Sequence, residues 1–152
     1  MPRHKRILSK TGIYHVMMRG NEKKNLFLDE EDKQHFLDTL FIKKKETGFF
    51  LYAYCLMTNH IHLLIQEGQE SLATTIKRIN TSYVFYFNQR YQRVGHLFQD
   101  RFKSEPVETE QYLLAAVRYI HNNPVKAAIV ERAEQYKWSS SPCVRIVVME
   151  LY

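Results

Sequence analysis

Two strand-length apolar runs, FFLYAYCLM (49–57) and HIHLLI (60–65), are separated only by Thr58 and Asn59. So short a connection permits an antiparallel hairpin, because a parallel crossover needs a dozen or more residues. The rest of the chain must be arranged around that hairpin. GIYHVMMRG (12–20) reads as a preceding strand ended by Gly20 and Asn21. Between them, Asp29 opens an acidic first turn, Phe36, Leu37, Leu40 and Phe41 form a helical stripe, and Lys43 to Lys45 precede the stop at Gly48. After the hairpin, Ser71 caps a helix with Leu72, Ile76, Ile79, Tyr83 and Phe87 on one face. RFKSEPVE (101–108) is a fourth strand that Pro106 confines to an edge, and a third helix runs from about Thr109 to the asparagines before Pro124.

This order predicts an α+β ferredoxin-like βαββαβ sandwich, an antiparallel sheet with helices on one face, plus an extra C-terminal helix. The other face of the sheet is left free to work. With 152 residues the chain suits one domain, and 45% hydrophobic with 25% charged residues excludes a disordered polymer. Net charge is +6 with neutral histidines, which favours a polyanionic partner such as nucleic acid. The two cysteines, Cys55 and Cys143, have no metal-knuckle spacing, and the basic N-terminus has no apolar h-region. No segment approaches the ~18 apolar residues of a membrane span. The expected setting is a reducing cytoplasm, away from the membrane and associated with the nucleoid.

The hairpin's second strand carries His60 and His62. Residues i and i+2 of a strand share a side, so both imidazoles project together while Ile61 and Leu63 face the opposite layer. Such a pair can bind one divalent metal or be two hydrogen-bonded structural histidines, and zinc sites use the same spacing. On the third helix Leu113, Ala116, Val117 and Ile120 define the buried stripe at roughly 100° per residue. Tyr119 falls on a flank shared with Tyr112 and Asn123, and His121 lies on the opposite flank. Tyr119 and Asn123, at i and i+4, can therefore meet at one site, although Pro124 biases Asn123 away from helical geometry.

Basic residues are spread along the chain: Arg3, Lys5 and Arg6 at the start, then Lys77, Arg78, Arg101 and Lys103. Tyr83, Tyr86, Tyr91, Phe98 and Phe102 lie among them. Charge interleaved with stacking surfaces is what single-stranded nucleic acid needs, and a helix-face core is the other use for such aromatics.

HIH on a strand, followed by YIHNNPVKA on a helix, resembles the single-tyrosine HUH transposases of the IS200-like group, most closely the REP-associated tyrosine transposases. The matching stretches are GIYHVMMRGN (12–21), YAYCLMTNHIHLLI (52–65), GHLFQDRFKSEPV (95–107), RYIHNNPVKAAIV (118–130) and YKWSS (136–140). They run in order to about residue 140, which makes 1–140 the catalytic domain and 141–152 a short atypical tail. The resemblance implies His60-Ile61-His62 as the metal-binding HUH, Tyr119 as catalytic nucleophile and Asn123 as a further metal ligand, where relatives often have glutamine. It implies Mg²⁺ or Mn²⁺ as cofactor, and cleavage of single-stranded or hairpin DNA through a 5′-phosphotyrosine at hairpin-forming repeats. The energy of the phosphodiester is kept in that link, in line with the lack of a GxxxxGK[ST] loop.

The resemblance leaves open whether the histidines and tyrosine come from one chain or are exchanged within a homodimer. The apolar tail SPCVRIVVMELY departs from the polar ending the group implies. It motivates one other reading, a DNA-binding protein of the same fold with impaired catalysis; a second is a replication-initiator or relaxase-type nickase, which uses the same chemistry. A zinc hydrolase would need one more ligand, for which His96 and His121 are the spare candidates.

Overall fold

In the computed structural model, which describes residues 5–142, the ordered elements are β1 (Ile13–Arg19), α1 (Glu30–Thr47), β2 (Phe50–Leu56), β3 (His60–Gln66), α2 (Leu72–Arg90), β4 (Lys103–Pro106) and α3 (Glu110–Lys126). The strands form one antiparallel sheet in the order β2-β3-β1-β4, the α+β arrangement expected from the sequence. β4 pairs only with β1, so Pro106 does sit at an edge, where its missing N–H costs no ladder bond. Arg3, Cys143 and all but the first two residues of the atypical tail lie outside the described residues.

Local chemistry sets the helix ends. The Asp29 carboxylate accepts from the Asp32 amide and Ser71 Oγ from the Thr74 amide, each satisfying an orphan donor. Gly48 closes α1 with φ 74°, a left-handed conformation that glycine adopts without strain. Asp32 is fully buried, yet Leu28 N, Tyr86 Oη, Tyr91 Oη and Arg90 Nη1 all donate to its carboxylate, which bolts α1 to α2.

The core lies on one face of the sheet. Tyr14, Val16 and Met18 of β1 stand opposite Ile65, Leu63 and Ile61 of β3, all buried. From α2 the whole predicted stripe joins them: Leu72, Ile76, Ile79, Tyr83 and Phe87. Phe41 is the exception on α1, for it remains 47% exposed, with its ring set perpendicular to that of Tyr54.

The second face is not free, contrary to the expectation from sequence. α3 lies across its β2–β3 half, burying Ala116, Ile120, His121 and Pro124. The helix also runs through Pro124 to Lys126 instead of ending at the asparagines. Pro124 falls in the last turn, where its missing N–H removes a single bond, and its buried ring gains packing in return. The residues of YKWSS then seat α3. Leu56 N donates to Trp138 O, Ser140 N to Tyr54 O and Tyr136 Oη to Leu56 O, so this segment covers part of the β2 edge. Ser140 Oγ meets His121 Nε2 at 2.7 Å and fastens the helix to that segment.

Candidate active site

On the second face the period-two alternation presents His15, Met17 and Arg19 of β1 beside His60 and His62 of β3. His60 stands opposite Arg19 and His62 opposite Met17. α3 brings Tyr119 and Asn123 over the same histidines. The Asn123 amide spans the pair, with Nδ2 3.1 Å from His62 Nε2 and Oδ1 3.4 Å from His60 Nε2. Tyr119 presents its ring edge-on to His62 and to His15, each with 5.7 Å between centroids. With 47% of its surface exposed, its phenol is open to a substrate. One chain therefore assembles the whole cluster.

The polar partners fix where protons sit. Asn59 Oδ1 can only accept, so at 2.8 Å it takes the Nδ1–H of His60 and leaves the Nε2 lone pair of the neutral ring bare. That lone pair faces a second acceptor, Asn123 Oδ1, and a cation between them would satisfy both. Burial holds the His60 imidazole below its ordinary pKa, with the Asn123 contact opposing and nearby Arg19 reinforcing the shift. His62 is 2% exposed, and its pKa is pushed down to about 3 by burial, with the neighbouring His15, His60 and Arg19 adding to the effect. Both rings are thus neutral at physiological pH, the form that ligates metal. Among the described residues no cluster of three or more His, Cys, Asp or Glu side chains could hold a metal. Two imidazoles and a carboxamide form a different donor set, one that fits a divalent ion with nitrogen and oxygen ligands.

A groove of about 610 Å³ opens beside the cluster, lined by His15, Met17, His62, Lys103, Glu105 and Tyr119 among others. Met17 and Lys103 also line the next depression, which adds Arg19, Gln99 and Arg101. Arg101 in turn borders a third with Arg6, Lys77 and Phe102. Four of the predicted DNA-contacting residues, Arg6, Lys77, Arg101 and Lys103, thus line three depressions that share residues, the first of them beside Tyr119. Arg6 lays its guanidinium 3.6 Å over the Phe102 ring. Lys5 is exposed near the start of the described chain, whereas Arg78 is engaged in an ion pair with Glu70 at 2.8 Å. Of the spare histidines, His121 is buried against Ser140 and points away from the site, as its helical phase requires.

Sequence reasoning missed His15. Its Nε2 lies 3.0 Å from His62 Nδ1. It also missed Lys126, whose Nζ sits 5.2 Å from the centroid of the Tyr119 ring. A signal for His15 exists in IYHVMMR, where Tyr14, Val16 and Met18 alternate with His15, Met17 and Arg19. Which strand His15 neighbours could not be read from that alternation.

Among solved structures, the chain resembles a REP-associated tyrosine transposase bound to a REP hairpin, with a TM-score of 0.80 at 20% identity over 100% of this chain and 88% of the other. It also resembles a transposase from Deinococcus radiodurans, with a TM-score of 0.54 at 19% identity over 80% of this chain and 97% of that one. These likenesses show the fold. In sequence it is 24% identical over 155 aligned positions to a protein of Haemophilus influenzae described as a REP-associated tyrosine transposase, covering 92% of this chain and 85% of the relative. The model of the family "Transposase IS200 like" matches residues 9–123, all four strands of the sheet and most of the helix that carries Tyr119. By that match the chain belongs to the IS200-like transposase family.

Proposed function

We propose that this chain is a metal-dependent single-stranded DNA endonuclease and strand transferase that acts at hairpin-forming repeats. The observation that carries the reading is the convergence of His60 Nε2, His62 Nε2 and the Asn123 amide beside an exposed Tyr119. His60 Nε2, His62 Nε2 and Asn123 Oδ1 would hold Mg²⁺ or Mn²⁺, and the Asn123 Nδ2–H at His62 is the contact the ion displaces. When bound, such an ion polarises the scissile phosphate and neutralises charge that builds up in the transition state.

The residues of the chain supply the rest. The Tyr119 phenol gives up its proton as its oxygen attacks phosphorus, an O–P bond forms to the 5′ side of the break, and the 3′ oxygen leaves with the bonding pair and takes up a proton in exchange. Rejoining reverses the step with a 3′-OH as nucleophile, so no nucleotide cofactor is consumed. Arg6, Lys77, Arg101 and Lys103 track the phosphates of the strand leading from the groove, and binding should weaken steeply with salt as counterions are released. The hairpin bound by the structural relative supports hairpin DNA as the partner.

The test is to mix the protein with labelled single-stranded hairpin DNA and Mn²⁺. A denaturant-resistant adduct is expected, absent in Tyr119→Phe and on addition of EDTA. An adduct that survives Tyr119→Phe would sink the nucleophile assignment. Hairpin binding with no adduct at any metal concentration would leave only the DNA-binding role.

A further inference from the structure

We infer that His15 is a positioning residue for the metal-binding pair, accepting the Nδ1 proton of His62 and so holding the Nε2 lone pair of His62 toward Asn123 and His60. The inference rests on the metal site proposed above, and concerns a residue to which that reading gives no role.

The hydrogen bonds leave one assignment for the protons. Asn123 Nδ2 can only donate, so at 3.1 Å it requires a bare Nε2 on His62. A neutral His62 then carries its proton on Nδ1, and the atom 3.0 Å from Nδ1 is His15 Nε2. His15 Nε2 must be the acceptor, which places the proton of His15 on its own Nδ1. The contact is edge to edge, since the ring centroids are 5.2 Å apart while the nitrogens are at bonding distance. Register explains how the residues meet. His15 pairs with Leu64 and Met17 with His62, so His15 shares the face of His62 one pair further along.

The two imidazoles of the metal pair are therefore anchored differently. His60 is held by Asn59, its neighbour in the hairpin turn, which any protein with this hairpin could supply. His62 is held from a strand 47 positions away in sequence, and no other hydrogen bond reaches its Nδ1 among the described residues. His62 is 2% exposed, so water cannot readily replace His15. Without an acceptor the ring moves its proton to Nε2 or rotates, and either change withdraws the lone pair from the site. Partners of this kind typically tune metal affinity 10- to 100-fold. The ring of His15 also abuts that of Tyr119, so it braces the nucleophile and the ligand together.

The test uses the full chain, with Mn²⁺ alone as ligand and ¹⁵N-histidine NMR on the metal-free protein. In the wild type the spectrum should show His62 as the Nδ1–H tautomer and His15 likewise. In His15→Leu, His62 should populate both tautomers, and calorimetric Mn²⁺ affinity should fall roughly 10- to 100-fold. His15→Gln keeps a carbonyl acceptor and should recover most of the affinity. Unchanged Mn²⁺ affinity in His15→Leu overturns the inference while the metal site stands. A wild-type His62 with its proton on Nε2 overturns it even if His15→Leu fails to fold. A wild type that takes up no Mn²⁺ overturns the metal site and this inference together.

Discussion

The two faces of one sheet are made by alternate residues of the same strands, and they are built to opposite standards. On the first face Tyr14, Val16 and Met18 meet Ile61, Leu63 and Ile65, none more than 2% exposed, under α1 and α2. On the second, His15, Met17 and Arg19 meet His60, His62 and Leu64, and α3 packs mainly on the β2–β3 half. The β1–β4 half remains an open groove. The first face is bound by packing, where each missing methylene is felt. The second trades packing for oriented lone pairs at the proposed cation site, which do little for stability until a ligand arrives. Damage to one face should therefore appear in unfolding and damage to the other in chemistry.

His60→Ala should give the largest separation. The half-buried ring supports little packing, so the melting temperature should move by no more than about a degree or two. DNA cleavage should fall roughly a thousand-fold or more, because an electrostatic partner of the transition state is lost. Single-turnover cleavage beside a thermal melt checks both halves, and unaltered cleavage would remove His60 from the site. Leu63→Ala is the mirror experiment, made three residues along the same strand. A cavity in the fully buried core should cost about 2–5 kcal/mol in urea unfolding. Cleavage per folded molecule should stay within about twofold of wild type, and a larger loss would mean that the faces are mechanically coupled.

Legibility in the sequence divides along the same line. The core face follows from local rules: the hairpin from two intervening residues, the caps from Asp29 and Ser71, the α2 stripe from 3.6-residue periodicity. The HxH phase and the position of Tyr119 off its helix stripe were equally local, and the structure brings those residues together. Two features were not local. Asn123 stays helical although Pro124 follows it, and the Pro124 ring is buried, a tertiary gain that opposes the backbone preference of the residue before proline. His15 becomes the partner of His62 only through the β1–β3 register, and no short window of sequence contains that register.

Acid titration should show a third, smaller contrast. The folded His62 pKa is about 3, whereas its ordinary value in an unfolded chain is about 6.5. Between those values the unfolded state binds a proton that the folded state refuses, so stability falls as pH falls and is flat above about 6.5. His62 alone contributes a slope of about 1.4 kcal/mol per pH unit within that window. Burial of His15, His60 and His121 depresses their pKa values too and adds to it. Urea unfolding of metal-free protein at pH 7.5, 6 and 5 measures the slope, and His62→Gln should reduce it by the share that His62 contributes while the other three histidines keep the rest. A wild-type slope of zero would mean that the site face carries no electrostatic strain.

The smallest expected effect lies where the groove meets solvent. Lys126 follows Tyr119 by two turns of α3 and places its ammonium 5.2 Å from the ring centroid. At an exposed position such a cation–π contact contributes about 0.5–1 kcal/mol. In the proposed reaction the Tyr119 oxygen gives up its proton and attacks, negative charge shifts away from it toward the phosphate, and the ammonium would matter mainly by orienting the ring. Lys126→Ala should therefore lower single-turnover cleavage about two- to fivefold, which is the same energy expressed as a rate. Lys126→Arg, which keeps both the charge and the affinity for a ring face, should restore it. In urea unfolding Lys126→Ala should lose no more than about 0.5–1 kcal/mol, because Lys126 is exposed and gives the folded state little beyond that ring contact, and Lys126→Arg should regain it. A loss beyond a hundredfold would promote Lys126 from orienting the nucleophile to stabilising the transition state directly, and no loss at all would leave Tyr119 held by His15 and His62 alone.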